Sequence, residues 1–164
     1  MVFIGGNMNR ILKTAGALLA SLFFSATAFS AEMPGADPAQ LWNYITKVSP
    51  YTSWSYWPDH VGMQKGRAPH GPKHKVFVND IALKKNKVPL PHGSIQVKES
   101  YSRSGRLMNI TVMYKVKGFN PADGDWFWAK YSTNGNARPS GKPRGCIGCH
   151  GTRERNDFVL VHDF

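Results

Sequence analysis

The sequence predicts an α+β fold, a single domain built on a mainly antiparallel β-sheet with a few short helices. After about residue 75, short strand-like segments follow one another, and turns rich in Gly, Pro and Asn separate them. Helical spacing is confined to two brief stretches, which indicates neither a helical bundle nor the strand–helix alternation of a parallel sheet. The domain is expected over residues 31–164, the usual size of one compact unit.

Two stretches with apolar residues at helical spacing predict the helices. The first covers residues 39–48 and follows a loop-like start. The second is shorter, covers residues 81–86, and has Asn79 or Asp80 placed to cap its N-terminus. Between them, residues 51–69 are rich in aromatic residues, Gly and Pro, which predicts an irregular segment that packs on the core.

Short segments bounded by turn residues predict the strands of the sheet. The expected strands cover residues 75–78, 94–102, 107–117, 125–132 and 158–161. Ser104 and Gly105 form a turn that joins the second and third of these strands as a hairpin. Residues 120–124 form the turn before the fourth strand, and residues 133–145, rich in Gly, Pro and basic residues, predict a loop.

The most specific motif lies near the C-terminus, where residues 146–150 read Cys-Ile-Gly-Cys-His. The spacing CxxCH is the attachment site of a c-type haem. In such a site both thiols bond to haem vinyl groups, and the imidazole that follows is placed to bind the iron. Cys146 and Cys149 are the only cysteines of the chain, so the sequence predicts one covalent haem c with His150 as the iron ligand.

Three other uses of two closely spaced cysteines fit this sequence less well. A structural disulfide between residues three apart would close a trivial loop. A thioredoxin-type redox pair normally accompanies a strand–helix–strand unit, and no such pattern surrounds this motif. A zinc site needs two further ligands at metal spacing, and the histidines elsewhere in the chain form no recognisable partner motif.

Residues 1–30 have the features of a secretory signal peptide. Arg10 and Lys13 form the charged start, an apolar stretch covers residues 14–24, and small residues surround a cleavage site within residues 28–31. The apolar stretch is too short to span a bilayer, and no other segment approaches the length of about 18 apolar residues that a spanning helix needs. Because covalent haem attachment follows export in bacteria, the periplasm is the expected location, with no integral membrane segment in the mature chain.

The expected mature chain is strongly basic. The 21 Lys and Arg residues of the whole chain include Arg10 and Lys13, so 19 remain against 10 Asp and Glu residues. A positive balance suits contact with an acidic redox partner or an anionic surface, and scattered basic residues are also typical of an ordinary solvated surface. No nucleic-acid-binding motif is present, and no nucleic-acid partner is expected.

The position of the CxxCH motif argues against ordinary small electron-transfer cytochromes, in which the motif lies near the start and a methionine far downstream binds the iron. Residues 151–164 contain no methionine. Upstream candidates for a sixth iron ligand are Met63, Met108, Met113, His70 and His92. Methionines on strands usually pack in the core, and histidines in turns usually face solvent. We therefore expect a five-coordinate iron with an open position for a small molecule.

Four ordered segments resemble the cytochrome P-460 family, including its cytochrome c′-beta branch. These segments are PHGSIQVKESY (91–101), TVMYKVKGFNPADGDWFWAKY (111–131), GCIGCH (145–150) and NDFVLVH (156–162). The resemblance covers essentially the whole mature chain. It implies a mainly antiparallel sheet, usually dimeric, with the haem held against the sheet. It also implies either oxidation of hydroxylamine, with electrons passed to an acceptor cytochrome, or nitric oxide binding without turnover; electron transfer alone would need a sixth protein ligand.

The resemblance assigns a special role to Lys98. In members that oxidise hydroxylamine, a lysine at this position bonds covalently to a haem meso carbon. On a strand, Gln96, Lys98 and Ser100 share one face, where an unpaired ammonium would be costly to bury, and the haem edge or a propionate would remove that cost. Hydroxylamine oxidation also implies a carboxylate above the iron, for which Glu99 and Asp125 are candidates, whereas relatives that bind nitric oxide have aromatic side chains there. We expect hydroxylamine oxidation, with nitric oxide binding as the alternative.

Overall fold

The computed structural model describes residues 1–3, 32–85 and 87–164, and the remainder of the predicted signal peptide lies outside these residues. The α-helices of the described part are α1 (Pro38–Asn43), α2 (Asp80–Lys85) and α3 (Arg144–His150). A π-helical turn covers Tyr44–Val48, and 3₁₀ turns cover Tyr51–Ser53, Pro121–Asp123 and Gly151–Asn156. No helix among the described residues is both long and apolar enough to cross a membrane.

The strands form one antiparallel sheet. They are β1 (Ser55–Tyr56), β2 (Gln64–Lys65), β3 (Lys73–Val78), β4 (Ile95–Tyr101), β5 (Leu107–Lys115), β6 (Trp126–Tyr131) and β7 (Ala137–Gly141). Their order across the sheet is β1-β3-β4-β5-β6-β7, and β2 pairs with the other end of β3. The predicted fold class, a mainly antiparallel sheet with a few short helices, is confirmed.

The predicted β-hairpin forms the centre of this sheet. The Ser102 N–H donates to the Arg106 carbonyl at 2.9 Å, which closes the turn between β4 and β5. Gly105 has φ of +84° in this turn, a conformation that glycine adopts without the steric cost other residues carry. The register places Lys98 opposite Thr111 and Gln96 opposite Met113, and these pairs set the face on which each side chain lies.

Side-chain caps begin both predicted helices. The Asp37 carboxylate accepts hydrogen bonds from two backbone N–H groups in the first turn of α1, at 3.0 and 2.9 Å. Such a cap satisfies donors that the helix cannot pair internally. The Tyr44–Val48 turn then extends α1 over the rest of the predicted length. The Asn79 side chain accepts from the Ala82 N–H at 3.2 Å, so Asn79 caps α2.

The two faces of the sheet carry two separate apolar clusters. One face packs against α1 and includes Leu41, Ile45, Phe77, Ile95, Val97, Val112, Phe127 and Tyr131, all buried. The other face packs against the C-terminal segment and includes Trp57, Val76, Val78, Met113, Trp126, Trp128, Phe158 and Val159. Because side chains alternate between faces along a strand, β3, β5 and β6 contribute to both clusters. The CxxCH motif belongs to the second side of the sheet, where Cys146 and Ile147 pack against the second cluster.

Three predicted segments differ from the structure. Residues 158–161 were expected as a strand but form a turn, because Asp157 and Phe158 have φ of +52° and +65°, outside the range of a strand. The predicted loop over residues 133–145 contains the edge strand β7, whose Pro139 is acceptable because an edge strand needs fewer backbone donors. The segment over residues 51–69, expected to be irregular, contains the two-residue strands β1 and β2.

Candidate haem site

A cavity of about 330 Å³ lies between the sheet and α3. Its apolar wall includes Val76, Met113, Trp128, Leu160 and Val161. Polar and basic groups at this cavity are Gln96, Lys98, Thr111, Lys130 and His70. An apolar concave site with a few convergent polar groups is typical of a binding site for an organic cofactor.

The helix α3 brings the three residues of the motif to this cavity. Cys146, Cys149 and His150 lie at positions i, i+3 and i+4, which share one side of a helix, and all three line the cavity. The thiol groups are free; Cys146 is half-buried, whereas Cys149 is exposed. The helix follows Pro143, whose carbonyl accepts from the Cys146 N–H at 3.0 Å. The two thiols and the imidazole that are predicted to hold one haem therefore lie at the same cavity.

The His150 imidazole is oriented by a hydrogen bond. Its Nδ1 lies 2.8 Å from the Phe158 carbonyl oxygen, and because that oxygen only accepts, Nδ1 carries the proton. Nε2 is then the nitrogen with a free lone pair, as an axial iron ligand requires. Burial lowers the pKa of His150 despite the opposing effect of this hydrogen bond, so the neutral form is favoured. The Trp128 ring packs against the imidazole with 4.7 Å between ring centres.

A buried ion pair fixes the turn that carries the Phe158 carbonyl. Lys115 Nζ lies 2.5 and 2.6 Å from the two carboxylate oxygens of Asp157, and both side chains are 6 % exposed. The same carboxylate accepts from the Leu90 N–H at 2.7 Å, and the Asp157 carbonyl accepts from the Trp126 indole at 3.0 Å. These contacts connect β5, β6 and the C-terminal turn, and they hold the acceptor of the His150 hydrogen bond in place.

Lys98 lies in the cavity wall, as the alternation along β4 predicts. It stands between Val76 of β3 and Thr111 of β5 in the sheet register. Its ammonium group makes no hydrogen bond or ion pair with a residue in the described ranges, and burial, with a smaller effect of Arg67, lowers the pKa of Lys98 to about 8. A substantial fraction of this side chain is therefore neutral amine near pH 8.

The residues at the cavity fit a haem in three ways. Lys98 and Lys130 flank Thr111 on the same face of the sheet, where they can pair with haem propionates. The Trp128 indole N–H is buried and has no acceptor among the described residues, so a polar group of a bound cofactor can satisfy it. The two thiols and the free lone pair of His150 are the groups that would hold a haem c covalently and bind its iron.

The two carboxylates proposed from the sequence lie outside this cavity. Glu99 faces the opposite side of the sheet, where its carboxylate accepts hydrogen bonds from Tyr51 at 2.9 Å and Tyr101 at 2.5 Å. Asp125 lies in the turn before β6, where it accepts from the Gly118 and Asn120 N–H groups and contacts His92. Their role as proton acceptors for a bound substrate stays a prediction, and their positions do not support it.

The candidates for a sixth iron ligand differ in whether they line the cavity. Met63 and Met108 are exposed, whereas Met113 lines the cavity and its sulfur lies 3.6 Å from Gln96 Nε2. His70 lines the cavity, with 6.3 Å between the centres of its ring and that of His150. Burial, and after it Lys98, lowers the pKa of His70 to about 4, so its imidazole is neutral at neutral pH.

Some residues at the site carry no recognisable signal in the sequence. The Phe158 carbonyl is a backbone group, and its role depends on a turn that the apolar pattern of residues 158–161 hides. The pairing of Lys115 with Asp157 joins positions far apart in the chain, and only the fold brings them together. Lys130, by contrast, has a signal in the sequence: it is two residues after Trp128 in β6, so the two side chains share one face of the sheet.

The fold and the cavity define a protein with a mainly apolar cavity between an antiparallel sheet and a CxxCH helix. The family model described as Cytochrome P460 matches residues 49–161, which include the sheet, the cavity and the motif. The chain belongs to the cytochrome P460 family and is a haem c cytochrome. No curated protein matches the chain significantly.

Proposed function

We propose that this cytochrome oxidises hydroxylamine at a single covalent haem to which Lys98 is also joined. One observation carries the proposal: the Lys98 side chain is partly buried in the cavity wall near the CxxCH helix, with no carboxylate partner among the described residues. A buried ammonium without a partner is costly, so this position favours a neutral amine. A covalent bond to the cofactor would remove the charge permanently.

The chain's own residues have distinct roles in this proposal. Cys146 and Cys149 form the two thioether bonds, and His150 binds the iron through Nε2 while Nδ1 donates to the Phe158 carbonyl. Lys130 pairs with a propionate, and the Trp128 ring supports the His150 imidazole. When bound, the haem supplies a redox-active iron with a coordination position for a small nitrogen species.

The bond to Lys98 has a definite stoichiometry. Joining Nζ to a meso carbon replaces one N–H and one C–H bond by a C–N bond, so two protons and two electrons leave. A two-electron oxidant must accept these electrons. The amine attacks only through its free lone pair, which the lowered pKa of Lys98 makes available near neutral pH.

The net charge and the N-terminal sequence of the chain support an exported electron donor. Oxidation of hydroxylamine to nitric oxide releases three protons and three electrons, and we propose that the electrons pass to an acceptor cytochrome. The positive balance of the chain suits an acidic surface on that partner. The signal-peptide pattern over residues 1–30 supports a periplasmic location, and the family resemblance supports a homodimer.

A second candidate function, nitric oxide binding without turnover, is supported by the cavity lining. Among the described residues that line the cavity there is no Asp or Glu, whereas Trp128 and several aliphatic side chains do line it. Such a lining admits a small neutral molecule and offers no carboxylate to accept a proton.

The intact mass and the ferrous absorption spectrum of the mature protein test the proposed function. We expect one haem mass under denaturing conditions, reduced by two hydrogen masses, and a ferrous band far to the red of ordinary haem c. Lys98→Ala should abolish the red shift, restore the two hydrogen masses and remove hydroxylamine turnover. Lys130→Ala is the matched control, because Lys130 lies in the same row of the sheet and should leave the band unchanged. An ordinary haem c spectrum in the unaltered protein would favour nitric oxide binding instead.

The formation of the Lys98 bond should depend on pH. The pKa of Lys98 in the folded protein is about 8, so the neutral, reactive amine increases as pH rises toward 8 and dominates above it. In haem-loaded protein treated with peroxide, the rate of bond formation should therefore rise with pH and level off above about pH 8. Lys98→Arg should form no bond at any pH, because arginine stays protonated. A rate that is the same at pH 6 and pH 9 would contradict this mechanism.

A further inference from the structure

The loop that covers the cavity is held in a defined position. It connects β2 and β3 over residues 66–72, and the Gly66 N–H donates to the Pro72 carbonyl at 2.8 Å where the two strands part. Within the loop, the His70 N–H donates to the Arg67 carbonyl at 3.1 Å. These bonds make the loop a closed turn and fix the backbone position of His70.

Gly71 allows this loop to pack closely against the end of the β4–β5 hairpin. Its φ is +84°, and a Cβ atom there would lie 3.0 Å from the Tyr101 carbonyl oxygen and 2.6 Å from the Met108 methyl group. Only glycine allows so close an approach without a shift of the neighbouring backbone. The packing brings the preceding residue, His70, over the cavity.

The His70 and His150 rings face the same cavity from two different elements, the β2–β3 loop and α3. Their ring centres are 6.3 Å apart and their planes cross at 88°. Two imidazoles that bind one metal ion from opposite sides have metal–nitrogen bonds of about 2 Å each, so their nitrogens lie about 4 Å apart and their ring centres roughly 6 Å apart. The observed separation agrees with that arrangement.

Aromatic packing alone can also produce such a separation, and the hydrogen bonds distinguish the two explanations. His150 uses Nδ1 for the Phe158 carbonyl, which leaves Nε2 for a metal. The half-buried His70 side chain makes no hydrogen bond with any residue in the described ranges, so its ring nitrogens are available to a metal. One imidazole oriented by a backbone carbonyl and a second with free ring nitrogens are typical of two histidines that bind one metal ion.

We propose that His70 is a second axial ligand of the haem iron, opposite His150, in the resting protein. The expected five-coordinate iron would then be a state reached only when His70 leaves. An external ligand, hydroxylamine or nitric oxide, must displace His70, and the β2–β3 loop controls access to the iron. The proposal rests on the haem site formed by Cys146, Cys149 and His150, but not on the bond to Lys98 or on hydroxylamine turnover.

Electron paramagnetic resonance of the ferric protein tests the proposal. Two imidazole ligands give low-spin iron, and one gives high-spin iron, so the unaltered protein should be low-spin and His70→Ala high-spin. Added imidazole should return His70→Ala to the low-spin state. His70→Gln, which keeps a polar side chain of similar length, should behave like His70→Ala. His92→Ala is the matched control, because His92 lies in the other Pro-His-Gly turn and contacts Asp125 outside the cavity.

Cyanide binding gives an independent measurement. If His70 occupies the iron in most molecules, its removal should raise the apparent affinity for cyanide about tenfold or more, since only the vacant fraction binds. High-spin iron in the unaltered protein, or an unchanged spin state in His70→Ala, would overturn the proposal while leaving the haem and Lys98 proposals standing. An ordinary haem c spectrum that is low-spin would refute the Lys98 bond and support His70 ligation. A mature protein without haem mass would overturn both.

Discussion

Replacing Asp157 with asparagine is expected to lower the free energy of unfolding by about 3–5 kcal/mol, the usual effect of removing one member of a buried ion pair. Asparagine has the same shape and tolerates the positive φ of this position, so the change removes the charge and little else. Lys115 would then keep a buried ammonium without its counter-charge. Urea denaturation of the haem-loaded protein measures the loss.

An exposed ion pair provides the control for this prediction. Asp80 and Lys84 are 71 % and 78 % exposed, and Asp80→Asn should cost less than about 1 kcal/mol. In the double variant Asp157→Asn with Lys115→Met, no unpaired charge remains, and part of the lost stability should return. Equal effects of Asp157→Asn and Asp80→Asn would show that the buried pair does not stabilise the C-terminal turn.

The same variant connects stability with the haem site. Asp157 precedes Phe158, whose carbonyl accepts the hydrogen bond from His150 Nδ1. A looser turn weakens that bond and, with it, the basicity and orientation of the axial imidazole. The midpoint potential of the haem should therefore change in Asp157→Asn and stay unchanged in Asp80→Asn, whose exposed ion pair involves no residue of the C-terminal turn.

The centre of the sheet could be predicted because its pattern is local. Strands β4, β5 and β6 are each six residues or longer and contain several β-branched or aromatic residues, and Gly105 marks the hairpin between the first two. The edge strand β7 carries Pro139 and exposed polar residues, so its pairing to β6 leaves no apolar pattern to recognise. Residues 158–161 have the composition of a strand, but the turn at Asp157 is held by distant partners, Lys115 and Trp126.

At the site, too, positions set by spacing along the chain could be predicted, whereas positions set by tertiary packing could not. The motif at 146–150 and the cavity-facing position of Lys98 follow from spacing along the chain. The period of two also places Glu99 on the face opposite Lys98, so an active carboxylate at Glu99 conflicts with a reactive amine at its neighbour. The position of His70 depends on how the loop over residues 66–72 folds back onto the hairpin, and a Pro-His-Gly tripeptide alone does not encode that.

Removing both thiols is the change with the largest expected effect on the cofactor. The variant Cys146→Ala with Cys149→Ala should lose both thioether bonds, because the chain has no other cysteine, so any haem mass that remains under denaturing conditions must be held by the Lys98 bond. Each single variant should retain haem through one thioether bond. Intact-protein mass spectrometry after acid denaturation makes the distinction, since it removes haem that is held by coordination alone.

The two single variants should differ in stability, because their surroundings differ. Cys146 is half-buried and packs against the second apolar cluster, so Cys146→Ala loses contacts as well as a thioether bond, whereas Cys149 is exposed. Cys146→Ala should therefore have the lower melting temperature. If the double variant still carried a covalent haem, Lys98 would be the remaining candidate, and adding Lys98→Ala would have to release it. A haem that stayed attached in that triple variant would refute the assignment of all three attachment residues.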